Sequence, residues 1–134
     1  MEPDVKQMNY NLLIVDDSKL ARMVVTSALR RIRPDWTITE ATSADEALAA
    51  VQKGGVQIAL VDFNMPGMDG LALVAKLRQR DAGMPIAVVS ANLQDEIIAR
   101  ARELNAAFVG KPLTDEALEA FLTGATLRLR KAPT

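Results

Sequence analysis

Three short apolar runs organise the chain. Leu12–Val15 (LLIV), Ile58–Val61 (IALV) and Ile86–Val89 (IAVV) are each four residues long with no polar interruption. Runs of that length suit strands covered on both faces, as in a parallel sheet. From Trp36 to Thr39 (WTIT) apolar and polar residues alternate, which predicts an edge strand with one wetter face. Phe108-Val109, closed by Gly110, predicts the other edge. Between these runs the apolar period becomes helical. Ala21, Val24, Val25, Ala28, Leu29 and Ile32 form one stripe, and Ala44, Ala47, Leu48 and Val51 a second. Leu73, Val74 and Leu77 with Gly70 form a third, Leu93, Ile97, Ala101 and Leu104 a fourth, and Leu118, Phe121, Leu122 and Ala125 a fifth.

The boundaries carry their own signals. Ser43-Ala-Asp-Glu46 predicts a capping box. Ser18, Asp69, Asn92 and Thr114 each stand where an N-cap is wanted, and Gly54-Gly55, Asp81-Ala-Gly83 and Pro34-Asp35 mark exits. The result is five β-then-α units joined by short loops. That pattern predicts an α/β fold, a doubly wound five-stranded parallel sheet with right-handed crossovers. Residues 11–127 are expected to form the domain, 1–10 an N-terminal extension and 128–134 a C-terminal tail. The basic residues Arg128, Arg130 and Lys131 either extend the fifth helix through Leu129 or hang as a tail, and Gly124 weakens the helical reading by ~1 kcal/mol relative to Ala.

Composition narrows the chemistry. The 134 residues suit one domain. A formal net charge of −1 makes neither nucleic acid nor a membrane an electrostatic target of the whole surface. Cysteine and histidine are both absent, which removes disulfides, thiolate or imidazole metal sites, Ser–His–Asp triads and a phosphohistidine carrier within this chain. No apolar run approaches the ~18–20 residues of a membrane span, and the acidic start lacks the order of a signal peptide. A cytoplasmic protein is the expectation.

In an open α/β sheet, function gathers at the carboxyl ends of the strands. LLIV is followed by Asp16 and Asp17, and IALV by Asp62 and then Phe63-Asn64-Met65-Pro66-Gly67. IAVV is followed by Ser90, and Phe108-Val109-Gly110 by Lys111-Pro112. The alternating strand ends in Glu40-Ala41-Thr42, with no comparable signal. A lone aspartate after a strand is usually a cap or a solvated loop residue, but these groups follow different strands and share one rim. Carboxylates crowded there resist joint ionisation unless a cation joins them, so at least one pKa should be raised. An oxygen-rich site with few protein ligands suits Mg²⁺, which shares its shell with water and phosphate. Lys111 can meet a phosphoryl oxygen as a point charge, Ser90 can donate a hydrogen bond, and one carboxylate can act as nucleophile.

The pieces LLIVDDS, LVDFNMPGMDG, VVSAN and FVGKPL together resemble the receiver domain of two-component response regulators, over roughly Asn11 to Leu127. The resemblance implies the flavodoxin-like strand order 2-1-3-4-5. It implies that Asp62 is the phospho-acceptor, that Asp17, Asp62 and the backbone carbonyl of Asn64 hold Mg²⁺, and that Asp16 positions the metal through water. Lys111 would pair with Asp62 or its phosphate across a cis Lys111–Pro112 bond. Ser90 and Phe108 would be the switch residues, although Phe108 also reads as a plain core residue of an edge strand.

The implied donor is a histidine kinase or a histidine phosphotransfer protein. The implied readout is a change of the face built from the fourth helix, fifth strand and fifth helix, which would bind a downstream protein. A phosphorylation-dependent dimer is left open. The chain would be a phospho-acceptor with slow self-dephosphorylation, not an enzyme in the usual sense. Too little follows Leu127 for an output domain, so output by binding is expected, as in chemotaxis-type single-domain regulators. A receiver fragment of a longer regulator is the alternative context. Two rivals are a Mg²⁺-dependent aspartyl phosphatase of the haloacid-dehalogenase type and a receiver-like module without phosphotransfer. The first wants a second Asp two positions after its nucleophile, where Asp16 is followed by Ser18 and Asp62 by Asn64.

Overall fold

A computed structural model describes residues 9–131. The expected extension at 1–10 therefore lies outside the described residues apart from Asn9 and Tyr10, as does the tail from residue 132 on. Ten elements alternate: β1 Asn11–Val15, α1 Lys19–Ile32, β2 Thr37–Ala41, α2 Ala44–Gln52, β3 Ile58–Asp62, α3 Gly70–Arg80, β4 Ile86–Ser90, α4 Asp95–Glu103, β5 Ala107–Gly110 and α5 Asp115–Lys131. The strands form one parallel sheet in the order β2-β1-β3-β4-β5. This is the doubly wound fold expected from the apolar pattern.

The burial follows from position in the sheet. Every residue of β3 and β4 is buried, whereas the edge strands β2 and β5 are largely exposed or half-buried. Side chains alternate between faces. Leu12, Ile14, Ile58, Leu60 and Ala87 pack with Ala28 and Leu29 of α1 and Leu118 and Leu122 of α5. Leu13, Val15, Ala59, Val61, Ile86 and Val88 pack with α2, α3 and α4. Each face of the sheet thus has its own core.

Most of the predicted caps form. Ser18, Ser43, Asp69 and Thr114 accept hydrogen bonds from the amides of Ala21, Glu46, Ala72 and Ala117. Two expectations are corrected. Glu46 does not return to Ser43 but accepts from the amide and hydroxyl of Thr42, at 2.7 and 2.8 Å, and these bonds hold its carboxyl below the ordinary range. Asn92 is not the cap of α4, because Gln94 occupies that position without a side-chain bond. The Asn92 amide oxygen instead accepts from Gln94 N at 3.1 Å, closing a turn before the helix.

Two apolar residues also leave their predicted places. Val24, with Leu20 and Met23, stands more than half exposed on α1, and Leu93 is exposed ahead of α4. The boundary expected at Leu127 falls within α5, which continues to Lys131. Gly124 does not stop it, since its cost is small beside the packing of Leu118, Leu122 and Ala125.

Candidate functional site

The strand order reverses direction between β1 and β3, and the crevice at their carboxyl ends is where this architecture binds ligands. Asp16 and Asp17 follow β1 directly, and Asp62 is the last residue of β3, in register with Val89 of β4. The three aspartates each bring a carboxylate oxygen within 4.8 Å of the others. Asp16 and Asp62 are buried, whereas Asp17 is exposed.

Asp16 is held on all sides. Its amide donates to Ala41 O at 3.1 Å and its Oδ1 accepts from Ser18 N at 2.9 Å. Its carbonyl accepts from Arg22 Nη1 at 2.8 Å. Lys111 Nζ lies 3.9 Å from the remaining Oδ2 and 2.8 Å from Asp62 Oδ1. The latter is a close ion pair to a buried carboxylate oxygen. The amide of Lys111 donates to Ser90 O at 3.0 Å, and the Lys111–Pro112 bond is cis. Ser90 closes β4, fully buried, and its Oγ accepts from Asn92 N at 2.9 Å. Phe108 pairs in register with Val88 and packs, half-buried, against the α2–α3–α4 core. Asn64 lies two residues past Asp62 in the exposed loop.

The Asp62 carboxyl is pushed above its ordinary range. Burial is the largest cause; Lys111 draws it back, and Asp16 and Asp17 push it further up. The expectation of a raised carboxyl holds, but like-charge repulsion is the lesser reason. All-oxygen donors and net negative charge on three clustered carboxylates fit a hard divalent cation such as Mg²⁺.

Gly70, the first residue of α3, is a feature the sequence reading placed only in an apolar stripe. A Cβ there would meet the carbonyl oxygen of Asp62 and lie 2.8 Å from Phe63 Cα. Its amide donates to Phe63 O at 2.9 Å. Glycine therefore lets α3 begin directly against the backbone that presents Asp62. Arg22 was also missed; its guanidinium joins the Asp16 carbonyl to the Glu40 carboxylate, at 3.0 Å from Nε.

Beside the acids an apolar cleft of about 340 Å³ opens between α1 and the turn after β5. Leu20, Val24, Pro112 and Leu113 are among its walls, and Asp62 and Lys111 reach its end. Among the described residues no helix is long and apolar enough to cross a membrane.

Residues 12–123 match the response regulator receiver domain, and the chain belongs to that family. It is 34% identical over 119 residues to the positive alginate biosynthesis regulatory protein of Pseudomonas aeruginosa, covering 87% of this chain and 47% of that protein. It is 28% identical over 116 residues to the cyclic di-GMP phosphodiesterase response regulator RpfG of Xanthomonas campestris, covering 84% of this chain and 31% of that one. The chain thus spans less than half the length of these relatives. The structure of the Vibrio cholerae chemotaxis protein CheY4 superposes with a TM-score of 0.79 at 26% identity, covering 88% of this chain and 99% of that one.

Proposed function

We propose that this receiver domain accepts a phosphoryl group on Asp62 from the phosphohistidine of a histidine kinase or histidine phosphotransfer protein. The observation that carries the reading is the joint placement of three carboxylates within 4.8 Å and the Lys111 ammonium 2.8 Å from the buried Asp62 oxygen. Asp16, Asp17, Asp62 and the carbonyl of Asn64 would hold Mg²⁺. When bound, the ion supplies positive charge against the oxygens of the group in transfer.

The chain's own residues do the rest. A carboxylate oxygen of Asp62 attacks phosphorus, the P–N bond to the donor imidazole breaks, and the imidazole leaves with its electron pair and takes up a proton. Lys111 offsets charge on the phosphoryl oxygens. Burial favours the reaction by excluding water, at the cost of a raised Asp62 pKa, which Lys111 partly offsets. Hydrolysis of the resulting acyl phosphate returns the resting state, so the chain is an acceptor with slow self-dephosphorylation. A cytoplasmic location goes with that donor.

Readout falls to Ser90 and Phe108. The Ser90 hydroxyl already accepts from Asn92 N at the start of the loop into α4. Its turn toward a phosphoryl oxygen would release that amide and shift the population of conformations of the α4–β5–α5 face. A downstream protein bound there reads the shift, whether the receiver acts alone or is joined to a further domain.

The exposed apolar residues Leu20, Met23 and Val24 lie on the helix whose cleft runs to Asp62, which suits the approach of an apolar donor surface. Intact-mass measurement after incubation with Mg²⁺ and a small phosphodonor tests the proposal. One added phosphoryl group is expected, lost in Asp62→Asn and strongly slowed in Asp17→Ala and Lys111→Ala. No mass gain in the native chain would leave a receiver-like module without phosphotransfer.

A further inference from the structure

We infer that Arg22 is a positioning residue for the divalent-cation site, acting through the peptide that joins Asp16 to Asp17; this rests on the reading of the site given above. Arg22 sits one turn into α1, and only 12% of its side chain is exposed. Its Nη1 donates to the Asp16 carbonyl at 2.8 Å while Nε donates to Glu40 Oε1 at 3.0 Å. The carbonyl belongs to the peptide unit between the two acids, so fixing it fixes the plane from which the Asp17 side chain departs.

Asp17 needs that help more than its neighbours do. Asp16 is tied through its amide to Ala41 and through Oδ1 to Ser18, and Asp62 is fixed as the last residue of a central strand. Asp17 is exposed. Arg22 thus reaches the exposed acid through the backbone, without touching its carboxylate. Glu40 holds the other side of the guanidinium and balances its charge. The planar fork lets one side chain meet a carbonyl from the loop after β1 and a carboxylate from β2 together, which a lysine ammonium does less well. This gives the β2 end, where no functional residue was expected, a part in the site.

Charge and position predict opposite signs. Removing a cation near three acids should tighten Mg²⁺ binding if Arg22 acts only through its charge. Removing a device that orients a ligand should weaken it, by about tenfold or more where such outer contacts have been lost. The test is calorimetric titration of Mg²⁺ into the full chain without phosphodonor, for the native protein, Arg22→Met, Arg22→Lys and Glu40→Gln. Arg22→Met is expected to raise the Mg²⁺ Kd about tenfold. Arg22→Lys should fall between it and the native chain, Glu40→Gln should show a smaller loss, and phosphorylation of all three should approach the native rate once Mg²⁺ saturates. A folded Arg22→Met that binds Mg²⁺ as tightly as the native chain, or more tightly, overturns the inference. Should Arg22→Met fail to fold, Arg22→Lys decides, with native affinity again overturning it. A native chain that binds no Mg²⁺ overturns the site reading beneath it, and this inference with it.

Discussion

Replacing Gly70 with alanine adds one methyl group at the point where α3 meets the end of β3. The added Cβ would lie 2.8 Å from Phe63 Cα and closer still to the carbonyl oxygen of Asp62. Both are backbone atoms, so no side chain can swing aside. Ordinary carbon contact requires a shift of roughly half an ångström or more. Forced overpacking of this kind costs about 1–3 kcal/mol. Unfolding entropy is about 2.1 cal/mol/K per residue, so in a domain of this length each kcal/mol moves Tm by about 3–4 °C. Gly70→Ala is therefore expected to lower Tm by about 4–10 °C. Because the displaced atoms carry Asp62, phosphorylation by a small phosphodonor should also slow, by up to about a hundredfold if the shift reaches the nucleophile.

Gly124→Ala is the control. It lies inside α5 with nothing within 4 Å of an added Cβ, so helix preference alone should raise stability by about 0.5–1 kcal/mol. Thermal melts of the two variants side by side read the difference. A Gly70→Ala protein as stable as the native chain and phosphorylated at its rate would refute the reasoning about the α3 junction.

Three further outcomes follow from the geometry. The raised Asp62 pKa means the folded state binds this proton more tightly than the unfolded one, so the contribution of Asp62 to stability is fully present below the ordinary aspartate pKa and is lost as pH rises through the folded value. Urea denaturation should accordingly find Asp62→Asn more stable than the native chain at neutral pH, with the gap closing as pH falls toward 4; a less stable Asp62→Asn at neutral pH would contradict this. Leu20→Ser with Val24→Ser alters exposed apolar side chains without adding charge to the cleft beside Asp62, so phosphorylation by a small phosphodonor should be unchanged while transfer from a histidine phosphotransfer protein slows at least tenfold; equal slowing of both would remove α1 from donor docking. Arg78 donates to the carbonyls of Leu104, Asn105 and Met84, tying the end of α3 to the exit of α4, so Arg78→Met should cost about 2–3 kcal/mol in chemical denaturation, and a cost near zero would show those carbonyls satisfied otherwise.

What could be read from sequence was what acts locally or periodically. Fully apolar runs marked β1, β3 and β4 because both faces of a central parallel strand are covered, and the alternating WTIT marked an edge. Ser18, Ser43, Asp69 and Thr114 were legible as caps because a cap bonds within three residues. The acids, Ser90 and Lys111 were legible because strand ends converge on one rim. Arg78 and Gly70 were not, because their partners are backbone atoms of other segments, and a carbonyl leaves no mark on the residue code; Arg22 was not, because it joins such a carbonyl, that of Asp16, to a Glu40 carboxylate distant in sequence. Val24 was misplaced for a related reason: its helical period is right, but the core beneath α1 ends before reaching it. The cause of the Asp62 shift needed burial, which the composition of the loop does not convey.

The claim at the centre is that the phosphoryl group sits on the Asp62 carboxylate. Borohydride reduces an acyl phosphate to the alcohol, which turns a phosphorylated aspartate into homoserine. The chain treated with Mg²⁺ and a phosphodonor, reduced and sequenced by mass spectrometry should carry homoserine at position 62. Homoserine at position 16 or 17 instead, or an unreduced aspartate at 62 in a chain that gained the phosphoryl mass, would contradict it.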